Sequence, residues 1–128
     1  MIDHIDHIVL TTADEAACIA FYVDLLGMKL EVFGADRKAF VFGKQKINLH
    51  VKGREFEPKA HLPVPGALDL CFIAGMPLAQ VVERLQVKGV AIVEGPVRRT
   101  GAQGPIESVY LRDPDLNLVE ISTYIASQ

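Results

Sequence analysis

ALDLCFIAGMPLAQVVERLQVKG, residues 67–89, is the stretch that decides the fold, because it restarts an order the chain has already used once. Ala67 to Ile73 reads as a strand whose period of two puts Asp69, Cys71 and Ile73 on one face. Pro77 suits the first turn of a helix, Leu78, Val81, Val82 and Leu85 recur at helical spacing, and Gly89 stops it. The chain opens in the same way. Ile5 to Thr11 is a strand with Ile5, His7, Val9 and Thr11 on one face, and Asp14 then offers its carboxylate to the free N–H groups of a helix that runs to about Leu26 and ends at Gly27. That helix has an imperfect stripe, in which Phe21, Tyr22, Leu25 and Leu26 cover a sheet.

Three strand candidates follow the first helix: Lys29 to Phe33, Lys38 to Phe42 and Lys46 to Val51, the last two joined by a Gly43-Lys44-Gln45 turn. After the second helix come Val90 to Glu94, broken by Gly95 and Pro96, a glycine-rich loop from Arg98 to Ile106, and the pair Ser108 to Arg112 and Leu116 to Thr123 around Asp113-Pro114-Asp115. The expectation is an α+β fold of paired βαβββ modules forming a curved, mostly antiparallel sheet cavity. Module one covers about 4–52, module two about 67–124, and the segment 53–66, punctuated by Pro58, Pro63 and Pro65, is a linker and a loop over the cavity. With 128 residues, half of them apolar, the two modules should share one core as a single domain, neither folding alone.

With a formal charge of −3 and basic residues dispersed along the chain, the sequence shows no concentrated positive run, and no nucleic-acid partner is expected. Cys18 in a helix and Cys71 in a strand read as buried thiols rather than a disulfide, which points to a reducing compartment. No basic and apolar leader opens the chain, and no apolar run approaches the roughly 20 residues of a membrane span, so a cytoplasmic protein with no membrane partner is expected.

Four polar side chains stand on strands at matching places: His7 on the first, His50 on the fourth, Asp69 on the fifth and Glu120 on the eighth. Matching the halves by element order sets His7 against Asp69 and His50 against Glu120. In Leu118-Val119-Glu120-Ile121 and Leu68-Asp69-Leu70-Cys71-Phe72 a carboxylate interrupts an apolar strand, where an unpaired charge is costly unless the strand faces water. Two imidazoles with one or two carboxylates suit a divalent Mn, Fe, Ni, Co or Zn ion with positions left open for water or substrate. Each residue alone also reads as an ordinary hydrogen-bonded strand residue. Asn48, on the face of His50, and Tyr110 either line the same cavity or are structural; Arg99, Thr100 and Gln103 on their loop either recognise an anionic substrate or are simply solvated.

The segments Ile5-Asp6-His7-Ile8-Val9-Leu10-Thr11, Ala20-Phe21-Tyr22, Leu26-Gly27-Met28, Gln45-Lys46-Ile47-Asn48-Leu49-His50, Phe56-Glu57-Pro58-Lys59-Ala60-His61, Asp69-Leu70-Cys71-Phe72-Ile73 and Tyr110-Leu111-Arg112-Asp113-Pro114-Asp115, the last followed by Asn117-Leu118-Val119-Glu120, run in order over nearly the whole chain. In them the chain resembles the vicinal oxygen chelate superfamily of lactoylglutathione lyases, bleomycin-resistance proteins, fosfomycin-resistance thiol transferases, methylmalonyl-CoA epimerases and extradiol dioxygenases. Within it, the resemblance is to small glyoxalase-domain proteins related to a bacterial virulence-associated protein.

The resemblance implies that His7 and Glu120 are metal ligands and that another comes from the fourth or fifth strand. Asp69 stands where these enzymes commonly have histidine, so His50 is expected to supply the missing imidazole. The implied activity is a metal-dependent lyase or isomerase of glyoxalase type. It would hold the vicinal oxygens of a small substrate, stabilise an enediolate-like oxyanion, and move the proton by Asp69 or Glu120. A homodimer is implied too. The alternatives are a drug- or metabolite-binding protein of bleomycin-resistance type, needing no metal, a metal-dependent thiol transferase, or an extradiol dioxygenase.

Overall fold

In the computed structural model, which describes residues 1–126, the chain divides into two compact units. The first comprises Met1–Leu68 with Pro114–Leu116, the second Asp69–Asp113 and the chain from Asn117 onward. Each has the order strand, helix, strand, strand, strand.

In the first unit the strands are β1 (His7–Thr12), β2 (Lys29–Phe33), β3 (Arg37–Phe42) and β4 (Gln45–Val51), arranged β1-β4-β3-β2. β1 lies parallel to β4, and the other pairs are antiparallel. One face, with Leu10, Phe40, Ile47 and Leu49, is buried beneath Cys18, Phe21, Tyr22 and Leu25 of the helix. Tyr22 stacks on Phe40 with ring centroids 5.1 Å apart. The second unit holds β5 (Asp69–Ile73), β6 (Glu94–Gly101), β7 (Gly104–Arg112) and β8 (Leu118–Tyr124) in the order β5-β8-β7-β6, again with one parallel pair, β5 with β8. Helix α2 (Leu78–Val87) lies against β7 and buries Leu78, Val81 and Leu85. The α+β fold of two βαβββ modules is therefore present as two mixed sheets.

The first helix departs from the expected continuous α-helix. Helix α1 (Glu15–Ile19) is capped by Asp14, which accepts from Ala17 N at 3.1 Å, and the chain then widens into a π-helical segment over Ala20–Leu25. The Leu26 N–H reaches back five residues to Phe21 O at 3.0 Å. The wider turn brings Phe21, Tyr22 and Leu25 all onto the buried side, which accounts for the imperfect α-helical stripe.

The second departure lies at residues 90–106. The strand expected over Val90 to Glu94 begins instead at Glu94, and the expected loop from Arg98 to Ile106 is a hairpin of β6 and β7. Gly95 and Pro96 sit at an irregularity in pairing between Glu94 and Val97, on an edge strand where a missing N–H is tolerated. Gly95 has φ +107°, and a Cβ there would come within 2.4 Å of Ser108 O, so the position accepts glycine alone. The residues that resemble loop chemistry are thus bulge and turn chemistry. Cys71, expected to be buried, is exposed, whereas Cys18 is buried.

The Asp113-Pro114-Asp115 turn holds itself together and also pins β1. Asp113 accepts from the Asn117 backbone N–H at 2.9 Å and from its side-chain amide at 2.7 Å. Asp115 accepts from the Thr12 hydroxyl at 2.5 Å and from Ala13 N at 2.9 Å, fixing the end of β1.

Candidate functional site

The register of the first sheet places His7, Val9 and Thr11 on one face with Lys46, Asn48 and His50, Val9 being the direct partner of Asn48 and Thr11 of His50. This is the face turned away from the helix. His7 is exposed, and its Nδ1 lies 2.7 Å from Asp6 Oδ1, so Nδ1–H donates to the carboxylate and the Nε2 lone pair points elsewhere. A carboxylate holding the far nitrogen in this way is how proteins orient a metal-binding imidazole. The same bond is the main cause that keeps the Asp6 carboxyl below its ordinary range.

Asn48 and His50 are buried, and Asn48 Oδ1 and His50 Nδ1 have no hydrogen-bond partner. Buried polar atoms are nearly always paired, because leaving one unpaired costs about 1–3 kcal/mol. The two atoms belong to side chains on one sheet face. Phe56 meets the His50 ring edge-on at 5.7 Å, and the Arg37 guanidinium lies over the Phe56 ring, 4.8 Å from its centroid. The imidazole also lines a cleft of about 470 Å³ whose walls include Val9, Thr11, Leu62, Val64 and Leu68. Pro58, Leu62, Pro63 and Val64 of the segment after β4 line this cleft.

Burial first, then the Arg37 charge, hold His50 below the usual histidine range, only partly opposed by Glu55 and Glu57. As pH falls through about 6.5 the unfolded chain takes up this proton before the folded one, so stability declines from neutral pH toward the depressed folded value. In metal-free protein the urea midpoint is expected to drop more between about pH 7.5 and pH 5.5 than it does in His50→Gln. Equal drops would contradict that assignment.

In the second sheet Cys71 is the direct partner of Glu120, and Tyr110 is its partner on the other side. Ser108 donates to Glu120 Oε2 at 2.6 Å, and Ser122 reaches the same oxygen at 3.3 Å. The two serines are themselves 2.6 Å apart and fully buried, with the Cys71 Sγ 3.4 Å from Ser122 Oγ. Cys71 is exposed as a residue, but partial burial of its sulfur pushes the thiol up, away from the thiolate. Tyr110 is also pushed up by burial, against the pull of Arg99, whose Nε donates to its hydroxyl at 3.1 Å. Ser108 and Ser122 were not singled out in the sequence, although Ser122 follows Glu120 at the strand period.

The expected ligands are divided between the units: His7 and His50 in the first, Glu120 in the second. Among the described residues no group of three or more His, Cys, Asp or Glu side chains stands together to hold a metal ion. The registers also correct the matching of the halves. His7 pairs with Lys46, two residues before Asn48, as Asp69 pairs with Leu118, two residues before Glu120. Asn48, not His50, is the counterpart of Glu120, and His50 corresponds to Ser122. Arg99 and Thr100 lie on β6 rather than a loop, and Gln103 is in the turn after it. The Arg99 guanidinium is engaged by Glu94 at 3.0 Å, by Tyr110 and by the Arg98 carbonyl, and so fixes Tyr110. Thr100 and Gln103 are exposed, and Asp69 is exposed at the start of β5.

The duplicated βαβββ order defines a class of protein. The chain belongs to the Glyoxalase/Bleomycin resistance protein/Dioxygenase superfamily, whose model matches residues 4–121. It is 54% identical over 125 residues to Virulence protein STM3117 of Salmonella typhimurium, covering 98% of this chain and 87% of that protein. The crystal structure of that protein superposes with a TM-score of 0.96, covering 98% of this chain and 99% of that one. Glyoxalase domain-containing protein RDO1 of Mycosarcoma maydis is 55% identical over 120 residues, 94% of this chain and 68% of that protein. An integron cassette protein from the mobile metagenome of V. cholerae, 54% identical, matches with a TM-score of 0.95 over 98% of each chain. No helix among the described residues is long and apolar enough to cross a membrane.

Proposed function

We propose that this protein is a divalent-metal-dependent lyase or isomerase of glyoxalase type, acting on a small substrate with vicinal oxygens. The observation that carries the reading is the repetition of donors at corresponding register positions, His7 and Asn48 in one unit, Asp69 and Glu120 in the other. An imidazole nitrogen, an amide oxygen and carboxylates suit Mn, Fe, Ni, Co or Zn. The unpartnered, buried Asn48 Oδ1 and the Asp6-oriented His7 fit such an ion. His7 and Glu120 are the ligands in this reading, and the registers favour Asn48 over His50 as the donor from β4. Family likeness supports a cytoplasmic homodimer.

When bound, the ion supplies Lewis-acid polarisation of the substrate oxygens. The chain's own residues do the rest. Ser108 and Ser122 hold Glu120 Oε2, which fixes the carboxylate's orientation, and Arg99 holds the Tyr110 ring beside it. Asp69 is exposed on the same sheet face as Glu120, and in this reading it moves a proton at the substrate carbon.

The test is elemental analysis of protein purified without added metal, followed by calorimetric titration with each of the five ions and turnover assays on hemithioacetals of small 2-oxoaldehydes. The expected result is micromolar or tighter binding of one ion, and isomerisation that stops on chelation and returns on adding that ion back. Absence of binding for all five ions would sink the metal-dependent reading. A second reading, a metal-free binder of bleomycin-resistance type, is favoured by the largely apolar cleft beside His50.

A further inference from the structure

Both readings require a small-molecule ligand, and the cleft of the first unit shows what kind. Its walls are Val9 and the segment 58–68, including Leu62, Pro63, Val64 and Leu68, so most of any occupant meets apolar surface. Its polar groups are few: the Thr11 hydroxyl, the His50 imidazole, and Lys59, whose ammonium is tied to Glu57. His50 is 4% exposed. Its Nδ1 is buried without a donor or acceptor in reach, and an unpaired lone pair there is better tolerated than an unpaired N–H. In the tautomer that leaves no buried N–H unpaired, the proton is on Nε2. The ring cannot readily turn away, since Phe56 abuts it edge-on and Arg37 backs Phe56. An imidazole and a hydroxyl carried by paired strand residues, lining a largely apolar cleft of about 470 Å³, are the arrangement of a small-ligand site with few oriented polar contacts.

We propose that this cleft binds a small, mainly apolar molecule through a carbonyl oxygen, which accepts from His50 Nε2–H and Thr11 Oγ–H. The inference rests on the small-molecule reading of the protein and assigns His50 to that ligand rather than to a metal ion. It concerns the first unit alone.

The probes are acetophenone and ethylbenzene, which share a shape and differ in the carbonyl. Each is titrated into the full chain stripped with EDTA and followed by amide and histidine side-chain nitrogen NMR. Both should shift the amides of Thr11, Leu62 and Val64, with acetophenone alone moving the His50 ring nitrogens and binding about three- to tenfold more tightly. His50→Ala should reduce that ratio to about one while ethylbenzene still binds, and Thr11→Val should reduce it in part. His50→Gln, which keeps a donor, should retain most of it. The proposal is overturned if the probes shift resonances elsewhere, if neither binds, or if the ratio survives in His50→Ala. It is also overturned if His50→Ala abolishes divalent-ion binding by calorimetry. Loss of the metal reading alone, with no ion bound by wild type, leaves these probe results unchanged, so the two failures are told apart.

Discussion

Replacing Glu120 with Gln is expected to lower divalent-ion affinity by more than about a hundredfold in a calorimetric titration. The carboxylate is the only charged donor proposed as a direct ligand, and loss of a group that merely orients a ligand already costs about 10- to 100-fold. Ser108→Ala, which removes the 2.6 Å bond to Oε2, should fall in that smaller range. The fold should tolerate Glu120→Gln, because the amide oxygen can still accept from Ser108, and circular dichroism would confirm it. Wild-type affinity in Glu120→Gln would remove Glu120 from the ligand set. Asn48→Ala and His50→Ala then separate the two β4 candidates: the registers predict a loss of affinity in the first and little change in the second.

The largest effect on stability is expected at Phe40. It is fully buried on β3 and stacked on Tyr22 at 5.1 Å with an interplanar angle of 21°. Truncating a buried phenylalanine to alanine costs about 3–5 kcal/mol, the cavity left behind adding to the lost transfer free energy. The aromatic pair contributes about 0.5–1.5 kcal/mol of its own. Against a typical domain stability of about 5–15 kcal/mol, Phe40→Ala should bring the protein close to unfolding at 37 °C. Urea denaturation followed by far-ultraviolet dichroism measures it. Phe40→Leu should be milder, because it keeps most of the volume. A change below about 1 kcal/mol in Phe40→Ala would mean that the helix does not seat on the sheet through this pair.

Much of the architecture was legible because it is local. Period-two alternation identified β2, β3 and β4, helical spacing identified α2, and Asp14 and Gly27 marked the ends of the first helical region. The errors arose where the same local chemistry serves two structures. Gly95, Pro96, Gly101 and Gly104 look like a loop, yet in a hairpin they are the bulge and turn that let β6 pair with β7. Phe21, Tyr22 and Leu25 fit an α-helix poorly because the backbone is π-helical there.

The sequence by itself determined the duplicated βαβββ order and the polar residues carried on strand faces. These follow from side-chain periodicity and composition, which depend only on neighbours along the chain. It also put Asn48 and His50 on one face, since strand alternation requires it. Only the tertiary structure decided which of the two corresponds to Glu120, because pairing register is set by contacts between strands and a shift of two residues leaves the facing pattern unchanged. The hydrogen bonds of Ser108 to Glu120 and of Arg99 to Tyr110, and the seating of Phe56 against His50, join residues on different elements. Nothing in local propensity encodes them: they exist because strand pairing and the return of the segment 53–66 bring those side chains within bonding distance.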